Sequence, residues 1–343
     1  MITLVVPELS GPNTGGTRYN RRLVAALRER GESVRVLDFD AALRGIGDCD
    51  GLVWIDSLWL PRLGEWVDAA SKAGVPPRFG LLTHYLPALV EHGERPGHDQ
   101  LSTGEALALR HADGFIAPSE YLAGELRALG VEDERVLVLE PGLDIPLPTA
   151  AAEPTEKTRA VVLANIVEGK GIAPLLDALA TRLAPNDALQ LRIMGSREME
   201  PDYARRCASR AAAHPQLTRC VHFTGPATHE DCIRALLDSD VLLSSSRMES
   251  YGMALAEARG CGRPIIARTG GNANAHVQAQ WGGQLVPDEA AVADALLEQV
   301  RNPELRHQRA ALAWQHRRHQ PWSATADRLV AALAHWPPPR PPQ

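Results

Sequence analysis

At 343 residues the chain is long enough for two domains, each able to bury its own core. A formal net charge of -6 and a pI near 6.1 argue against a nucleic-acid partner, and no basic block of the kind that holds a protein on anionic lipid is present. Five scattered cysteines, Cys49, Cys207, Cys220, Cys232 and Cys261, form no CxxC pair, which fits reduced thiols in the cytoplasm. Residues 1–7 are too short an apolar run for a signal-peptide core, and nothing approaches the ~18 apolar residues of a membrane span. The expectation is a cytoplasmic protein without membrane association.

Residues 2–6 predict a short apolar strand. A loop with Gly11, Pro12, Gly15 and Gly16 follows, then an amphipathic helix over 19–30 with Leu23, Ala26 and Leu27 on one face. Arg18, Arg21, Arg22, Arg28 and Arg30 read as its solvated side. Gly31 ends the helix, and 33–37 form the next strand. Strand, glycine loop, helix, strand is the start of a parallel α/β sheet. Further strand-like runs lie at 51–55, 79–83, 114–117 and 136–139.

The stretch 145–157 is rich in proline and alanine and reads as a linker. A second α/β unit begins at 160–163, with strands at 190–194, 221–224, 241–244 and 264–267. Helices are expected near 172–183, 202–214, 229–237, 254–260 and 289–300, and a further solvated helix is expected to carry His316, Arg317, Arg318 and His319. Residues 337–343 form a proline-rich tail, either frayed or a polyproline ligand. Domains at 1–145 and 146–320 would face each other across a cleft. Ligands of open parallel sheets bind at the carboxyl ends of the strands.

The most informative segment is Arg247-Met248-Glu249-Ser250-Tyr251-Gly252-Met253-Ala254-Leu255-Ala256-Glu257. It sets one carboxylate on a loop and a second early in a helix, with free backbone N–H groups at the helix start between them. A ligand with hydroxyls at both ends and phosphates in the middle matches that arrangement, and a sugar nucleotide is such a ligand.

Together with Gly262-Arg263-Pro264-Ile265-Ile266-Ala267 and Gly270-Gly271, this segment resembles the E-x7-E block of the retaining glycosyltransferases of family 4. Pro118-Ser119-Glu120, Pro141-Gly142-Leu143-Asp144, Glu168-Gly169-Lys170-Gly171 and Gln320-Pro321-Trp322-Ser323 are similar to further family turns. The resemblance covers nearly the whole chain. It implies the GT-B fold: two facing Rossmann-like domains with parallel sheets, an interdomain cleft, and a final helix over 321–336 that returns to the first domain.

The resemblance also implies roles. Lys170 would meet the donor diphosphate, Glu257 the ribose hydroxyls and Glu249 the transferred sugar. Backbone groups of Ser250, Tyr251, Gly252 and Met253 would meet sugar or phosphate, Gly15 and Gly16 would let the chain approach the donor from the first domain, and His84 would touch the sugar or steady charge near its anomeric carbon. Asn165 stands where the family carries an arginine, so the phosphate clamp has lost a cation, with Arg247 and Arg268 as possible substitutes. The triplets Asp38-Phe39-Asp40, Asp48-Cys49-Asp50 and Asp238-Ser239-Asp240 read as structural, no metal or other cofactor is expected, and the histidines show no metal-binding spacing.

The implied activity is retaining transfer from a nucleoside diphosphate sugar, UDP-linked by preference, to a small soluble acceptor such as a nucleoside or pterin-like metabolite. Trp54, Trp59 and Trp66 are placed either to stack on a flat acceptor or to fill the core. A sugar-nucleotide epimerase on the same fold and a non-catalytic nucleotide-sugar binder are the competing readings. Donor base, sugar and oligomeric state stay open.

Overall fold

The computed structural model describes residues 1–9, 14–45, 52–74, 78–93, 95–145 and 155–338. Gly11, Pro12, most of the expected linker (146–154), the Asp48-Cys49-Asp50 triplet and residues 339–343 lie outside them. Contacts divide the chain into two compact units, Met1–Gly142 with Gln320–Gln343, and Leu143–His319.

The first unit holds strands β1 (Ile2–Val5), β2 (Val34–Leu37), β3 (Val53–Asp56), β4 (Phe79–Leu82), β5 (Gly114–Ala117) and β6 (Val136–Val138). They form a six-stranded sheet in the order β2-β1-β3-β4-β5-β6, with every pairing parallel. β1, β3, β4 and β5 are buried at every residue, as their largely apolar sequences, with Thr3 and Asp56 the polar exceptions, require of strands covered on both faces. The helix Gly15–Glu29 packs Leu23 and Leu27 into this core, where full burial of each contributes about 2 kcal/mol.

That helix starts earlier than the sequence suggested. The Thr14 hydroxyl accepts the Thr17 N–H at 3.2 Å, so Gly15 and Gly16 form the first turn rather than a loop. The helix Trp322–Ala334 belongs to the same unit, and its Trp322, Ala326 and Leu329 lie on one face and join the core. Beyond it, Trp336 packs edge-on against Trp54 at 5.0 Å, and the Pro338 carbonyl accepts from Arg135 at 3.4 Å.

The second unit holds β7 (Thr158–Leu163), β8 (Leu189–Met194), β9 (Val221–Gly225), β10 (Val241–Ser244), β11 (Ile265–Arg268) and β12 (Gln284–Val286), in the order β12-β11-β10-β7-β8-β9, again all parallel. The helix Ile172–Arg182 buries Ile172, Leu175, Leu176 and Leu179 on one face, a repeat set by the helical turn. Strand β12 and the helix Pro303–Gln315 are additions to the expected elements. The helix ends at Gln315, so His316, Arg317, Arg318 and His319 lie in exposed turn and coil rather than in a helix.

Candidate functional site

In the second unit β10 lies beside β7, and chain order reverses between them. Segments leaving the carboxyl ends of two such strands border the usual ligand site of an open parallel sheet. The segment after β7 passes Asn165 and makes a tight turn at Glu168–Lys170, and Gly171, at φ 64°, opens the next helix. The segment after β10 carries Ser245, Ser246, Arg247 and Glu249.

Three consecutive residues bind these segments together. The Ser245 hydroxyl donates to the Lys170 carbonyl at 2.8 Å, Ser246 Oγ accepts from Lys170 Nζ at 3.3 Å, and the Arg247 N–H donates to the Gly169 carbonyl at 2.9 Å. Lys170 Nζ also donates to Glu249 Oε1 at 2.6 Å. The two side chains keep 30% and 17% of their surface, so the pair remains within reach of a ligand. Lys170 and Glu249, expected to hold phosphate and sugar, therefore meet. An ammonium has three donors and a carboxylate two acceptor oxygens, so each can take a further partner.

The loop carrying Glu249 is braced from behind. The Asn272 N–H donates to the Glu249 carbonyl at 2.7 Å. Asn272 Nδ2 and His276 Nε2 both donate to the Tyr251 carbonyl at 2.8 Å. Burial pushes the His276 imidazole down to about 4, so it serves as a neutral donor. Gly271, at φ 58°, could carry no side chain, because a Cβ there would lie 2.3 Å from the Glu249 carbonyl oxygen. Gly252, at φ 91°, starts the helix Met253–Gly260 beside Ser250 and Tyr251. One turn in, Glu257 is buried, with Oε1 3.8 Å from His229 Nδ1. His229 Nε2 in turn donates to the Asp144 carbonyl at 3.0 Å.

Asn165 braces two loops. Its Oδ1 accepts the Ser196 N–H at 3.2 Å, and its Nδ2 points at Met199 Sδ at 3.3 Å. Of the two possible replacement cations, Arg247 is exposed, whereas Arg268 pairs with Glu289 at 3.2 Å. A Cβ on Gly171 would be 2.9 Å from Glu289 Oε1, which puts the Arg268–Glu289 pair against the phosphate-type turn. The Ala173 N–H at that helix start is committed to the Tyr203 hydroxyl at 2.9 Å.

In the first unit the chain order reverses at β1 and β3. His84 follows β4, and its Nε2 lies 2.8 Å from Asn20 Oδ1. Asn20 Nδ2 donates to Asp56 Oδ2 at 2.5 Å, and that same oxygen is 3.4 Å from His84 Nε2. Asp56 Oδ1 caps the turn Ser57–Arg62 by accepting the Leu58 N–H at 2.8 Å, and Ser57 Oγ accepts the His84 N–H at 3.0 Å. Asn20 and Asp56 are fully buried. Gly16 faces the ring, since a Cβ there would lie 3.1 Å from His84 Cδ2.

Sequence reasoning gave no role to Ser245 and Ser246, which open the glutamate motif, and missed Asn272, His276, Asn20 and Asp56. The serine run directly before the glutamate block was the one visible signal for any of them.

Within the two described acidic triplets, Asp38, Asp40 and Asp240 have structural partners. Asp38 caps the helix Phe39–Arg44, Asp40 pairs with Arg62 at 2.7 Å, and Asp240 accepts the Arg159 N–H at 2.7 Å. Among the described residues no cluster of three or more histidine, cysteine or acidic side chains could hold a metal ion, and no helix is long and apolar enough to cross a membrane. Trp54 and Trp66 are 1% exposed, and Trp59 stacks on Phe39 at 5.2 Å.

Comparison with known proteins matches residues 157–302 to the model of the group 1 glycosyl transferases and residues 51–142 to that of the glycosyl transferase 4-like domain. A D-inositol 3-phosphate glycosyltransferase of Catenulispora acidiphila is 29% identical over 88% of this chain and 77% of its own length. A second, from Geodermatophilus obscurus, is 30% identical over 70% of this chain, which spans 56% of that protein. The structure of Anabaena Alr3699/HepE in complex with UDP-glucose superimposes with a TM-score of 0.75 at 18% identity, covering 97% of this chain and 99% of the other. Sucrose-phosphate synthase from Thermosynechococcus elongatus gives 0.76 at 18% identity, covering 97% and 98%. The two family matches together span more than half of the chain, which belongs to the group 1, 4-like glycosyltransferases and has their GT-B fold.

Proposed function

We propose that the protein moves a hexosyl group from a UDP-sugar to a hydroxyl of a small polar acceptor with retention of configuration. The Lys170–Glu249 pair at the strand reversal of the second unit, next to the helix start at Gly252, carries this reading. An arriving diphosphate competes with Glu249 for the Lys170 ammonium, and Glu249 is then released to accept sugar hydroxyls. The N–H groups that follow Gly252 add partial positive charge where the leaving phosphate develops negative charge. Glu257 accepts the ribose hydroxyls. Arg268, once separated from Glu289, is the cation best placed to offset the missing arginine at position 165.

In the reaction the C1–O bond to the diphosphate breaks on the face where the acceptor oxygen forms its new bond to C1. The acceptor proton passes to the departing phosphate oxygen. Positioning and charge stabilisation account for the catalysis, with no metal ion assigned a part.

UDP is favoured as the carrier because the similar Anabaena structures contain UDP or UDP-glucose. The similar curated proteins act on D-inositol 3-phosphate by name, which favours a phosphorylated cyclitol over the nucleoside or pterin expected from the sequence. The buried Trp54 and Trp66 offer no stacking surface for such a heterocycle.

Thermal shift with UDP, GDP and ADP tests the carrier. A ligand at ~100 times its Kd adds ~2.7 kcal/mol of stability. Transfer from UDP-glucose to D-inositol 3-phosphate, with and without EDTA, then tests acceptor and metal independence. No shift with any nucleotide defeats the donor assignment, and a rate abolished by EDTA and restored by a divalent ion defeats the metal-free one.

A further inference from the structure

Two buried side chains of the second unit converge on one carbonyl of the loop that carries Glu249. Asn272 and His276 are 4% and 8% exposed, and both donate to the Tyr251 carbonyl at 2.8 Å. A carbonyl oxygen has two lone pairs, so this brace fills it. The Asn272 N–H also holds the Glu249 carbonyl at 2.7 Å, which ties both ends of the stretch from Glu249 to Tyr251 to a single residue. The His276 ring packs edge-on against Tyr251 at 4.8 Å, and a Cβ on Gly252 would lie 3.4 Å from its Cδ2.

The brace fixes the direction of the peptide that follows. In a trans peptide the carbonyl and the next N–H point opposite ways, and no described peptide bond is cis. The Gly252 N–H therefore points away from Asn272 and His276. Glycine does not hold that direction by itself. Gly252 sits at φ 91°, and without a Cβ it accepts either orientation of the preceding peptide at little cost. Its N–H has no acceptor among the described residues, and no side chain caps the helix that it opens. A buried amide and imidazole cost stability unless their hydrogens are used, and here both are used on the carbonyl that orients this one N–H.

We infer that Asn272 and His276 are positioning residues: by pinning the Tyr251 carbonyl they keep the Gly252 N–H turned out of the loop, ready to donate to an anion. The inference rests on the donor site proposed above, and all of its residues belong to the second unit.

Tyr251–Gly252 is the only tyrosine–glycine step in the sequence. Protein made with carbonyl-13C tyrosine and 15N glycine therefore gives one carbonyl-coupled amide signal, that of this peptide. Inorganic pyrophosphate is the probe. In the parent protein it should move the Gly252 amide proton downfield and saturate. In the double variant Asn272→Leu, His276→Leu the carbonyl loses both donors, its 13C signal should move upfield, and the response to pyrophosphate should be lost. Its kcat with UDP-glucose should fall about tenfold, below the cost of deleting an anion donor because the peptide still samples its parental orientation. His276→Gln keeps a donor and should restore both the carbonyl signal and kcat to near-parental values.

A Gly252 proton that saturating pyrophosphate leaves unmoved in the parent overturns the inference. So does an unshifted carbonyl in the double variant, or a shifted one with parental kcat. Should the double variant fail to fold, Asn272→Leu alone leaves one donor and is judged by the same two signals. Pyrophosphate carries no nucleotide. A peptide that responds to it only when braced, in a protein that neither binds nor turns over UDP-glucose, would keep the positioning and sink the donor assignment instead.

Discussion

The two polar clusters, one in each unit, use the same topological place in opposite ways. In the second unit Lys170 and Glu249 meet at the reversal of a parallel sheet as a charged pair with 30% and 17% of their surface left open. In the first unit Asp56, Asn20 and His84 gather at the corresponding reversal, but Asp56 and Asn20 are sealed and the Asn20 amide bridges the carboxylate and the ring. A half-open pair is cheaper to separate than a sealed one, as a ligand that must displace it requires. A sealed network is costly to disturb and so can fix the orientation of one ring.

The largest expected effect lies in the open cluster. Lys170→Ala and Glu249→Ala should each lower turnover of UDP-glucose by about 100- to 1000-fold, the cost of losing one charge-stabilising group at a reacting centre. Their stability to urea should fall by less than ~1 kcal/mol. Parental turnover in both variants would break the assignment of this site.

The sealed cluster should show the reverse balance. Asp56→Ala strands the Asn20 amide and the Leu58 N–H inside the first unit and should cost about 3 kcal/mol in urea unfolding. A loss no larger than that of Lys170→Ala would erase the distinction between the two clusters.

A third test concerns the brace behind the open cluster. His276 is held near a pKa of about 4 by burial, with Arg259 and Arg318 pushing the same way and the Tyr251 carbonyl and Glu249 opposing. Its folded value lies below the ordinary histidine value of 6.5, so the unfolded chain binds more protons between pH 6.5 and 4. Stability should therefore fall as the pH drops through that window and level off below it, by about 3 kcal/mol in all. A His276→Gln variant should lose this component of the pH dependence of Tm, and an unchanged slope would show that the group does not titrate there.

The smallest effect is expected at Gly16. A methyl group 3.1 Å from His84 Cδ2 should nudge the ring, lowering kcat by a few-fold, while the loss of backbone freedom in the unfolded chain offsets the strain to within ~1 kcal/mol. Unaltered kcat in Gly16→Ala would indicate that the ring position is not critical.

Most of the fold was legible in the sequence because parallel strands buried on both faces read as unbroken apolar runs, and helices such as Ile172–Arg182 repeat their apolar residues with the helical turn. The short β12, two of whose three residues are not fully buried, and the mixed surface of Pro303–Gln315 carry no such signal. Gly15 and Gly16 read as loop because glycine is a poor helix former, until the Thr14 cap placed them in a helix.

The sequence by itself determined the fold class, the glycosyltransferase family, and the residue types offered to a sugar nucleotide, since each is written in local pattern or in a contiguous motif. Only the tertiary structure decided that Lys170 and Glu249 pair, that Asn272 and His276 hold the Tyr251 carbonyl, and that Asn20 stands between Asp56 and His84. These contacts join residues far apart in the chain. They exist because the parallel sheets bring separate strand ends to one place, an arrangement that no local stretch of sequence encodes.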